Sequence, residues 1–512
     1  MRKHLRGVRV REPHPNLKQN VLANYVSQVY VTIIGIVMVP MYVSYMGMEA
    51  YGLVGFYAMS QSWFQLLDMG LTPTMSRETA RYQGGATDAL SLRRLLRTLE
   101  SIFVCVAVFG VAAALAGSSN IASSWLKVQY LPLREVRNSI MLMGIVVALR
   151  WLCGLYRGAI TGFERLIWLS GFSIAIASAR FVLIIPFFIY VGTTPEYFFA
   201  YQLVVAVIEV VLMVRQTYRI LPKVDIDKRI AWQWEPLRGV LKFSLSIAFT
   251  TSVWVLATQT DKLVLSKLLP LTDYAYFSLA VLLASGVLVI SAPISTALLP
   301  RLTKLSAEGD EAGLIRLYRN TTQLVGIVTV PTTLVLAFFA EPVLWAWTGN
   351  AEIARRAAPV LMLYSLGNGI LALTAFPYYL QFAKGDMKLH LTGNALFVVI
   401  FIPLLLWSTE KYGMVGAGYA WVIANLIPFM FWLPIVHARF VKGLHTRWLL
   451  RDVIPILILP ILIAGLIHEF VEWPTTRLQV AIAIAVLSLG LCIVTTASSS
   501  NARKIISSKW RF

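Results

Sequence analysis

Charge is scarce in this chain. Only 14% of its 512 residues are Asp, Glu, Lys or Arg, whereas 58% are hydrophobic. A soluble chain of this length divides into several domains and carries roughly 25% charged residues. Cysteine is scarcer still. Cys105, Cys153 and Cys492 all sit inside apolar runs, which argues against a disulfide framework and against a thiolate metal site. There is no G-x-x-x-x-G-K-[ST] to cradle nucleotide phosphates, no H-E-x-x-H and no Cys/His cluster, so neither a P-loop ATPase nor a zinc enzyme is indicated. The alternating segments of about ten residues that build outer-membrane barrels are also missing. Connections are short: the longest external stretch, 118–137, and the central one, 220–240, leave no room for a folded catalytic domain. Asp225-Ile-Asp227 has the spacing some sugar transferases use to hold a metal, but it lies in that short basic connection with no nucleotide-binding domain around it. His437 and His468 fall at the ends of apolar runs, where placement at the membrane interface is the default.

What is present is a series of apolar runs of about twenty residues, the length that crosses a ~30 Å hydrocarbon layer. The expected fold is an all-α polytopic membrane protein with about 14 spans. They fall near 20–43, 51–70, 99–117, 138–160, 167–191, 197–219, 241–268, 274–299, 320–341, 357–383, 388–408, 414–437, 451–468 and 476–498. The first 19 residues are polar and basic, and the run after them is too long for a signal-peptide core. With the N-terminus placed in the cytoplasm, 34 Lys and Arg fall in cytoplasmic segments and 8 in external ones; Arg150, Arg180 and Lys262 remain inside spans. A bias of that size around successive loops supports the orientation, with both termini cytoplasmic. The net charge of +20 would suggest nucleic acid in a soluble protein. Here it reflects cytoplasmic loops facing anionic lipid, and no nucleic-acid partner is expected.

An ungapped shift of 223 positions carries Tyr51 onto Tyr274, Arg93 onto Arg316, Tyr156 onto Tyr379, Gly162 onto Gly385, Arg165 onto Lys388 and Arg219 onto Lys442. Equivalent loops stay in register, as a duplicated six-helix unit requires. Six is even, so both copies point the same way, related by an axis along the membrane normal with a path between them. The expected organisation is a basic arm (1–19), an N-terminal lobe (20–219), a cytoplasmic linker (220–240), a C-terminal lobe (241–438), two further spans (439–500) and a basic tail (501–512).

Arg150, Arg180 and Glu209 sit in mid-span, and Asp261 and Lys262 lie in the outer half of the seventh span. A charge at a helix centre costs about 2.5–3.5 kcal/mol on insertion scales, so such residues face a cavity or a partner. Arg150, Gly154 and Arg157 share one stripe of a helix running toward the cytoplasm. Ser244, Thr251, Thr258, Lys262 and Ser266 share another, and Asn20, Asn24, Gln28 and Thr32 a third, so Asn24, Gln28, Thr251 and Thr258 are candidates to line a wet cavity. Two readings stand side by side for the charges. Arg150 or Arg180 pairs with Glu209, and Asp261 with a cation, as structural ion pairs; or the surplus of cations, extended by Arg157, Arg165 and Arg77 at the cytoplasmic mouth and reduced by Asp68, grips an anion, for which Arg offers a bidentate fork.

The first hairpin contains V-P-M-Y-V-S-Y-M-G-M-E-A-Y-G-L (39–53) and L-L-D-M-G-L-T-P-T-M-S-R-E-T-A-R (66–81). The second repeat contains T-Q-T-D-K-L-V-L-S-K-L-L-P-L-T-D-Y-A-Y-F-S-L-A (258–280) and L-L-P-R-L-T-K-L (298–305). Over about 20–500 the chain resembles the bacterial polysaccharide exporters, the Wzx-type O-antigen flippases. Their superfamily includes multidrug and toxin extrusion transporters and the lipid II flippase. The resemblance implies translocation of an undecaprenyl-pyrophosphate-linked oligosaccharide from the cytoplasmic to the periplasmic leaflet of the bacterial inner membrane. It implies alternating access driven by an ion gradient, with H+ or Na+ as coupling ion and no other cofactor. A polysaccharide polymerase and a chain-length regulator are the partners it implies. It carries Asp68, Gly70 and Arg77 onto the end of the second span and Asp261 onto the seventh, with a basic residue at 262. On the reading of the interior charges given above, substrate contacts would fall to Arg150, Arg180, Lys262 and Arg157, ion coupling or structural charge to Asp261, Glu209 and Asp68, and a cytoplasmic gate to Arg77 and Arg165. The rival readings are a drug:cation antiporter of the same fold, which would use Glu209 and Asp261, and an integral-membrane glycosyltransferase or polymerase, which would need the large external loop this chain lacks.

Overall fold

The computed structural model describes residues 17–224 and 234–503, and these are helical almost throughout. Most of the expected arm (1–19), much of the linker (220–240) with Asp225-Ile-Asp227, and most of the tail (501–512) lie outside the described residues. In chain order the helices are α1 (Leu17–Val37), α2 (Val39–Met46), α3 (Met48–Phe64), α4 (Leu71–Gln83), α5 (Ala89–Asn120), α6 (Leu133–Gly162) and α7 (Leu166–Phe181). They continue as α8 (Ile184–Tyr190), α9 (Pro195–Ile220), α10 (Trp234–Leu268), α11 (Leu271–Ala284), α12 (Gly286–Ala307), α13 (Glu311–Phe338) and α14 (Ala340–Thr348). The last seven are α15 (Ala351–Thr374), α16 (Phe376–Lys384), α17 (Lys388–Ile427), α18 (Leu433–Phe440), α19 (Leu444–Trp448), α20 (Ile454–Phe470) and α21 (Arg477–Ser498).

Local chemistry sets many of the breaks. Pro40, Pro186 and Pro377 stand in the first turns of α2, α8 and α16, where a missing N–H removes little or nothing from the ladder. Thr194 caps α9 ahead of Pro195, and the Asn350 side chain accepts from the N–H groups of Glu352 and Ile353 to start α15.

Eleven stretches among the described residues are long and apolar enough to cross a membrane. The multi-pass, all-α expectation is borne out, but these eleven do not by themselves establish fourteen spans. One stretch, Lys388–Phe440, runs for 53 residues, more than twice a bilayer crossing. Inside it Gly413 adopts φ 58 and ψ −138, a conformation that needs glycine, and it separates the expected spans 388–408 and 414–437. The expected span 51–70 is divided between α3, of 17 residues, and a short 3₁₀ turn. The expected span 241–268 lies within α10. Neither belongs to the eleven.

Packing divides the chain into two units, one of Met1–Met38, Phe64–Ser118 and Asn138–Phe249, the other of Val39–Trp63, Ser119–Arg137 and Thr250–Phe512. This division cuts across the lobes drawn from the repeat. The second unit shows why. Glu49, at the start of α3, is buried, and its carboxylate accepts from the successive N–H groups of Gln129, Tyr130 and Leu131 at 2.5–2.9 Å. The segment so held grips the α10–α11 corner: Leu271 N–H donates to the Lys127 carbonyl at 2.9 Å, Lys127 Nζ donates to the Leu268 carbonyl at 2.7 Å, and Trp125 Nε1 donates to Ser266 Oγ at 3.0 Å.

In the first unit, α4, α5 and α6 share a core of Leu71, Met75, Leu96, Leu99, Phe103, Trp151 and Leu155. A second cluster, with Cys153, Tyr156, Ile160, Leu169 and Met213, joins α6, α7 and α9. In the second unit α20 and α21 dock on α13 through buried Asp452. It accepts from Arg319 Nε at 2.5 Å and Gln323 Nε2 at 2.6 Å, while Ser499 Oγ donates to Gln323 Oε1 at 2.6 Å.

Candidate functional site

The first unit builds its charged cluster on α6 and α9. Along α6, Gly154, Gly158 and Gly162 recur every four residues and let α4 lie against the helix backbone. A Cβ at 158 would stand 2.5 Å from the Thr72 carbonyl oxygen, and one at 162 would stand 2.3 Å from that of Ser76. Asp68 sets the start of α4: its carboxylate accepts from the Thr72 N–H at 3.2–3.3 Å. It also accepts from the Thr72 hydroxyl at 2.5 Å, so the carboxylate at the end of the second span is engaged by the first turn of α4.

Arg150 and Arg157 occupy the neighbouring face of α6. Both reach Glu209 of α9, Arg150 Nη2 lying 3.7 Å from Oε2 and Arg157 Nη2 3.7 Å from Oε1. The Arg150 and Glu209 side chains are 9% and 8% exposed, against 45% for Arg157, so the cluster runs from a buried end to an open one. At 3.7 Å these are ion pairs without a hydrogen bond. Among the described residues Arg150 Nε and Nη2 and Glu209 Oε2 are buried with no hydrogen-bond partner. Unfilled buried donors on a charged group are expensive. Two guanidinium groups against one carboxylate leave the cluster with a surplus positive charge. The arrangement can accept an oxyanion at the unfilled Arg150 donors, in the planar geometry that suits phosphate.

The other expected residues are placed as follows. Arg180 lies on α7. Its carbonyl accepts from Gln202 Nε2 at 3.2 Å, and its guanidinium stands 4.9 Å from the Phe181 ring centre. Gln202 is buried on α9 seven residues before Glu209, on the same face. Arg77 pairs with Glu78 at 3.5 Å, and Arg165 begins α7. In the second unit Asp261 is buried and accepts from the Tyr364 hydroxyl at 2.7 Å. Tyr364 stacks on Trp421, whose Nε1 donates to Asn368 at 3.0 Å. Lys262 Nζ donates to the Thr258 carbonyl at 2.8 Å and lies 3.3 Å from Asp261 Oδ1, so much of its donor capacity stays on its own helix. Asn24, Gln28 and Thr251 are exposed and Thr258 is half-buried. The α10 stripe does not stay on one surface: Ser244 is buried against Thr74, oxygen to oxygen 2.6 Å, and Ser266 is buried under Trp125.

Four buried acids were not anticipated, among them Glu78, which pairs with Arg77 and Arg81. Glu49 and Asp452 are described above. Glu100 on α5 accepts from the hydroxyls of Tyr156 at 3.1 Å and Tyr218 at 2.8 Å and from Arg97 at 3.3 Å. The available signal was an acid at the edge of an apolar run, which needs a partner for the same reason a mid-span charge does.

Membrane-crossing helices throughout, paired charges held inside them, and connections too short for a soluble domain define an integral-membrane transporter. The chain belongs to the polysaccharide biosynthesis protein family, whose model matches residues 17–306. Residues 170–484 also match the model for the lipid II flippase MurJ. The resemblance to the Wzx-type flippases is thereby borne out. A Shigella flexneri protein named as an O-antigen transporter is 21% identical over 403 residues, 78% of this chain and 91% of that protein. The fold is similar to that of lipid II flippase MurJ in an inward closed conformation, with a TM-score of 0.70, 13% identity, and 96% of this chain and 100% of that one covered. It is also similar to an inward-facing multidrug resistance transporter of the MATE family, with a TM-score of 0.68, 14% identity, and 81% and 96% covered.

Proposed function

We propose that the protein is a flippase for a lipid-linked oligosaccharide: it carries an undecaprenyl-pyrophosphate-linked repeat unit from the cytoplasmic to the periplasmic leaflet for polysaccharide synthesis. The observation that carries this reading is the buried Arg150 guanidinium, with Nε and Nη2 unfilled, in a cluster whose charges do not cancel. A diphosphate and several sugars cannot enter hydrocarbon unaided, because each unsatisfied polar group costs several kcal/mol there. Family membership supports the substrate class. The excess of Lys and Arg on one side supports a bacterial inner-membrane location with cytoplasmic termini. A polymerase and a chain-length regulator are the partners that such a product would next meet.

The drug:cation antiporter would want an unopposed carboxylate. Glu209 faces two arginines, and Asp261 faces Tyr364 and Lys262, so the charge balance favours an anionic cargo. For coupling we assign the ion, H+ or Na+, to the second unit, where the buried carboxylate of Asp261 meets a tyrosine and a lysine, whereas Glu49 is held by backbone N–H groups and Asp452 by Arg319. Asp261→Asn should abolish the dependence of transport on the ion gradient, and unchanged dependence removes that role.

Deletion of the gene tests the whole reading. Lipid-linked oligosaccharide should accumulate on the cytoplasmic leaflet, and a flippase of the same specificity should relieve it. A deletion strain that builds polymer normally, with no accumulated intermediate, would overturn the proposal.

A further inference from the structure

The second unit contains a cavity of about 980 Å³ between the ends of α13 and α20, the short α14, the middle of α15 and the start of α21. It lies at the opposite ends of α13, α20 and α21 from the Arg319–Asp452 clamp. Its walls are apolar, with Phe338, Met362, Leu366 and Trp473 prominent, and its polar lining is chiefly Glu341 and His468. At that size it stands at the upper end of the ~300–1,000 Å³ typical of small-molecule sites. Trp345 and Trp473 line it too, and tryptophan at the ends of membrane helices marks the head-group level. An apolar chamber at that level, open beside Trp residues, is built for the tails of an amphiphile.

Charge says which amphiphile. Glu341 is exposed, and it is the one carboxylate or cation of Lys or Arg type among the lining residues. Glu469 and Glu472 are exposed in the segment that follows His468. The cation beside them, Arg477 at the start of α21, is turned onto the Ala346 and Trp347 carbonyls at 2.7 and 2.5 Å, so acids outnumber it at the rim and Glu341 is left to offer acceptors to an ammonium group. His468 packs its ring against Phe338 and Phe339, with centroids 6.0 and 5.9 Å away, and remains exposed, leaving ring N–H capacity at the rim. A carboxylate for an ammonium beside an imidazole for a phosphodiester matches a zwitterionic head group.

We infer that this cavity is a binding site for a phospholipid of the phosphatidylethanolamine class. Its acyl chains fill the chamber, its ammonium meets Glu341 and its phosphate meets His468. The site is separate from the Arg150–Arg157–Glu209 cluster and does not depend on the transported cargo. Its occupant wedges α20 and α21 against α13, α14 and α15.

The test uses the full chain in vesicles of equal parts phosphatidylethanolamine and phosphatidylglycerol, extracted gently and weighed by native mass spectrometry. The wild type should retain phosphatidylethanolamine about tenfold over phosphatidylglycerol, the discrimination one charge-assisted contact gives. E341Q should remove that preference and E341K should reverse it. Ala358→Trp, which projects into the chamber, should lower retention of both lipids. Because Glu341 is exposed, its variants report on binding with the fold intact. Equal retention of the two lipids by the wild type, an E341Q protein that keeps the preference, or recovery of a prenyl diphosphate in place of phospholipid would each overturn the assignment.

Discussion

Arg150 and Glu209 can be separated into scaffold and grip by a double substitution. Arg150→Met alone leaves Glu209 buried, facing only Arg157 at 3.7 Å. Breaking a buried pair by removing one partner costs about 3–5 kcal/mol. Arg157 is 45% exposed and still opposes Oε1, so the expected loss falls at or just below the bottom of that range, about 2–3 kcal/mol. Glu209→Leu alone strands the buried Arg150 guanidinium, which has no other ion pair among the described residues, and should cost at least as much. The double variant removes both buried charges and fills their space with apolar atoms, a replacement that is usually neutral or mildly stabilising. The thermal midpoint of the purified protein should therefore fall in each single variant and return in the double. Export should not return, because the diphosphate has lost its guanidinium. Both quantities are measured in one strain set: polymer export at matched membrane protein level, and the melting midpoint after extraction. A double variant that melts like the wild type and exports like it would show Arg150 to be a structural counter-ion only.

Gly158→Leu should fail to accumulate in the membrane, since even a Cβ there meets the Thr72 carbonyl at 2.5 Å, and overpacking by a bulky side chain costs several times the ~1 kcal/mol of a methylene; a normal melting midpoint would refute the close α4–α6 approach. Glu49→Gln replaces an acceptor for three N–H groups by one with half the acceptor oxygens, and should lower the melting midpoint by the equivalent of about 1.5–3 kcal/mol, the value of hydrogen bonds to a charged group; hydrogen exchange at residues 129–131 would locate the loss, and unchanged protection there would refute it. Asp88 caps α5 through the N–H groups of Leu90 and Ser91, both 3.1 Å away, and hydrogen bonding with Ser91 holds its carboxyl below the usual range. A depressed folded-state value gives stability above the unfolded value that disappears as pH falls through the folded one, so protection of the Leu90 and Ser91 N–H groups, taken relative to the intrinsic exchange rate at each pH, should fall on acidification and not in Asp88→Asn.

The all-α, multi-pass architecture was legible because an apolar run of bilayer length has few solutions: its backbone must satisfy itself in a helix. The pairing of Arg150 and Arg157 with Glu209 was legible in part, since the stripe on α6 was visible and a mid-span acid was the nearest available partner. What a polar stripe faces was not. Periodicity says that Ser244, Thr251 and Ser266 share a side of α10; it does not say that Thr74 covers the first and Trp125 the last while Thr251 stays exposed. Glu49 was hidden for a different reason. Its partners are backbone N–H groups some eighty residues away, and main-chain donors leave no trace in residue type. The break at Gly413 was anticipated by the gap between two expected spans, whereas the one at Phe339, with Pro342 in the first turn of α14, was not.

The shift of 223 positions also bears on which residues are scaffold and which serve a task. Under it one structural feature recurs: Tyr51 and Tyr274 each lie early in a helix and each is buried. The interior charges do not recur. Arg150, Arg157, Arg180 and Glu209 fall on Leu373, Leu380, Pro403 and Trp432, while Asp261 and Lys262 fall back onto Met38 and Val39. A mid-span charge costs about 2.5–3.5 kcal/mol to insert, and a bundle that closes one half with Leu, Pro and Trp at the equivalent positions has no general need for it in the other. The charges were therefore kept for what differs between the halves. In the first unit the surplus is cationic and its buried donors are unfilled; in the second, Asp261 and Lys262 cancel, and the acid is held by a tyrosine. Under the proposed function such a division would keep an anionic cargo and a driving cation, which have opposite charge, from being drawn to each other's site.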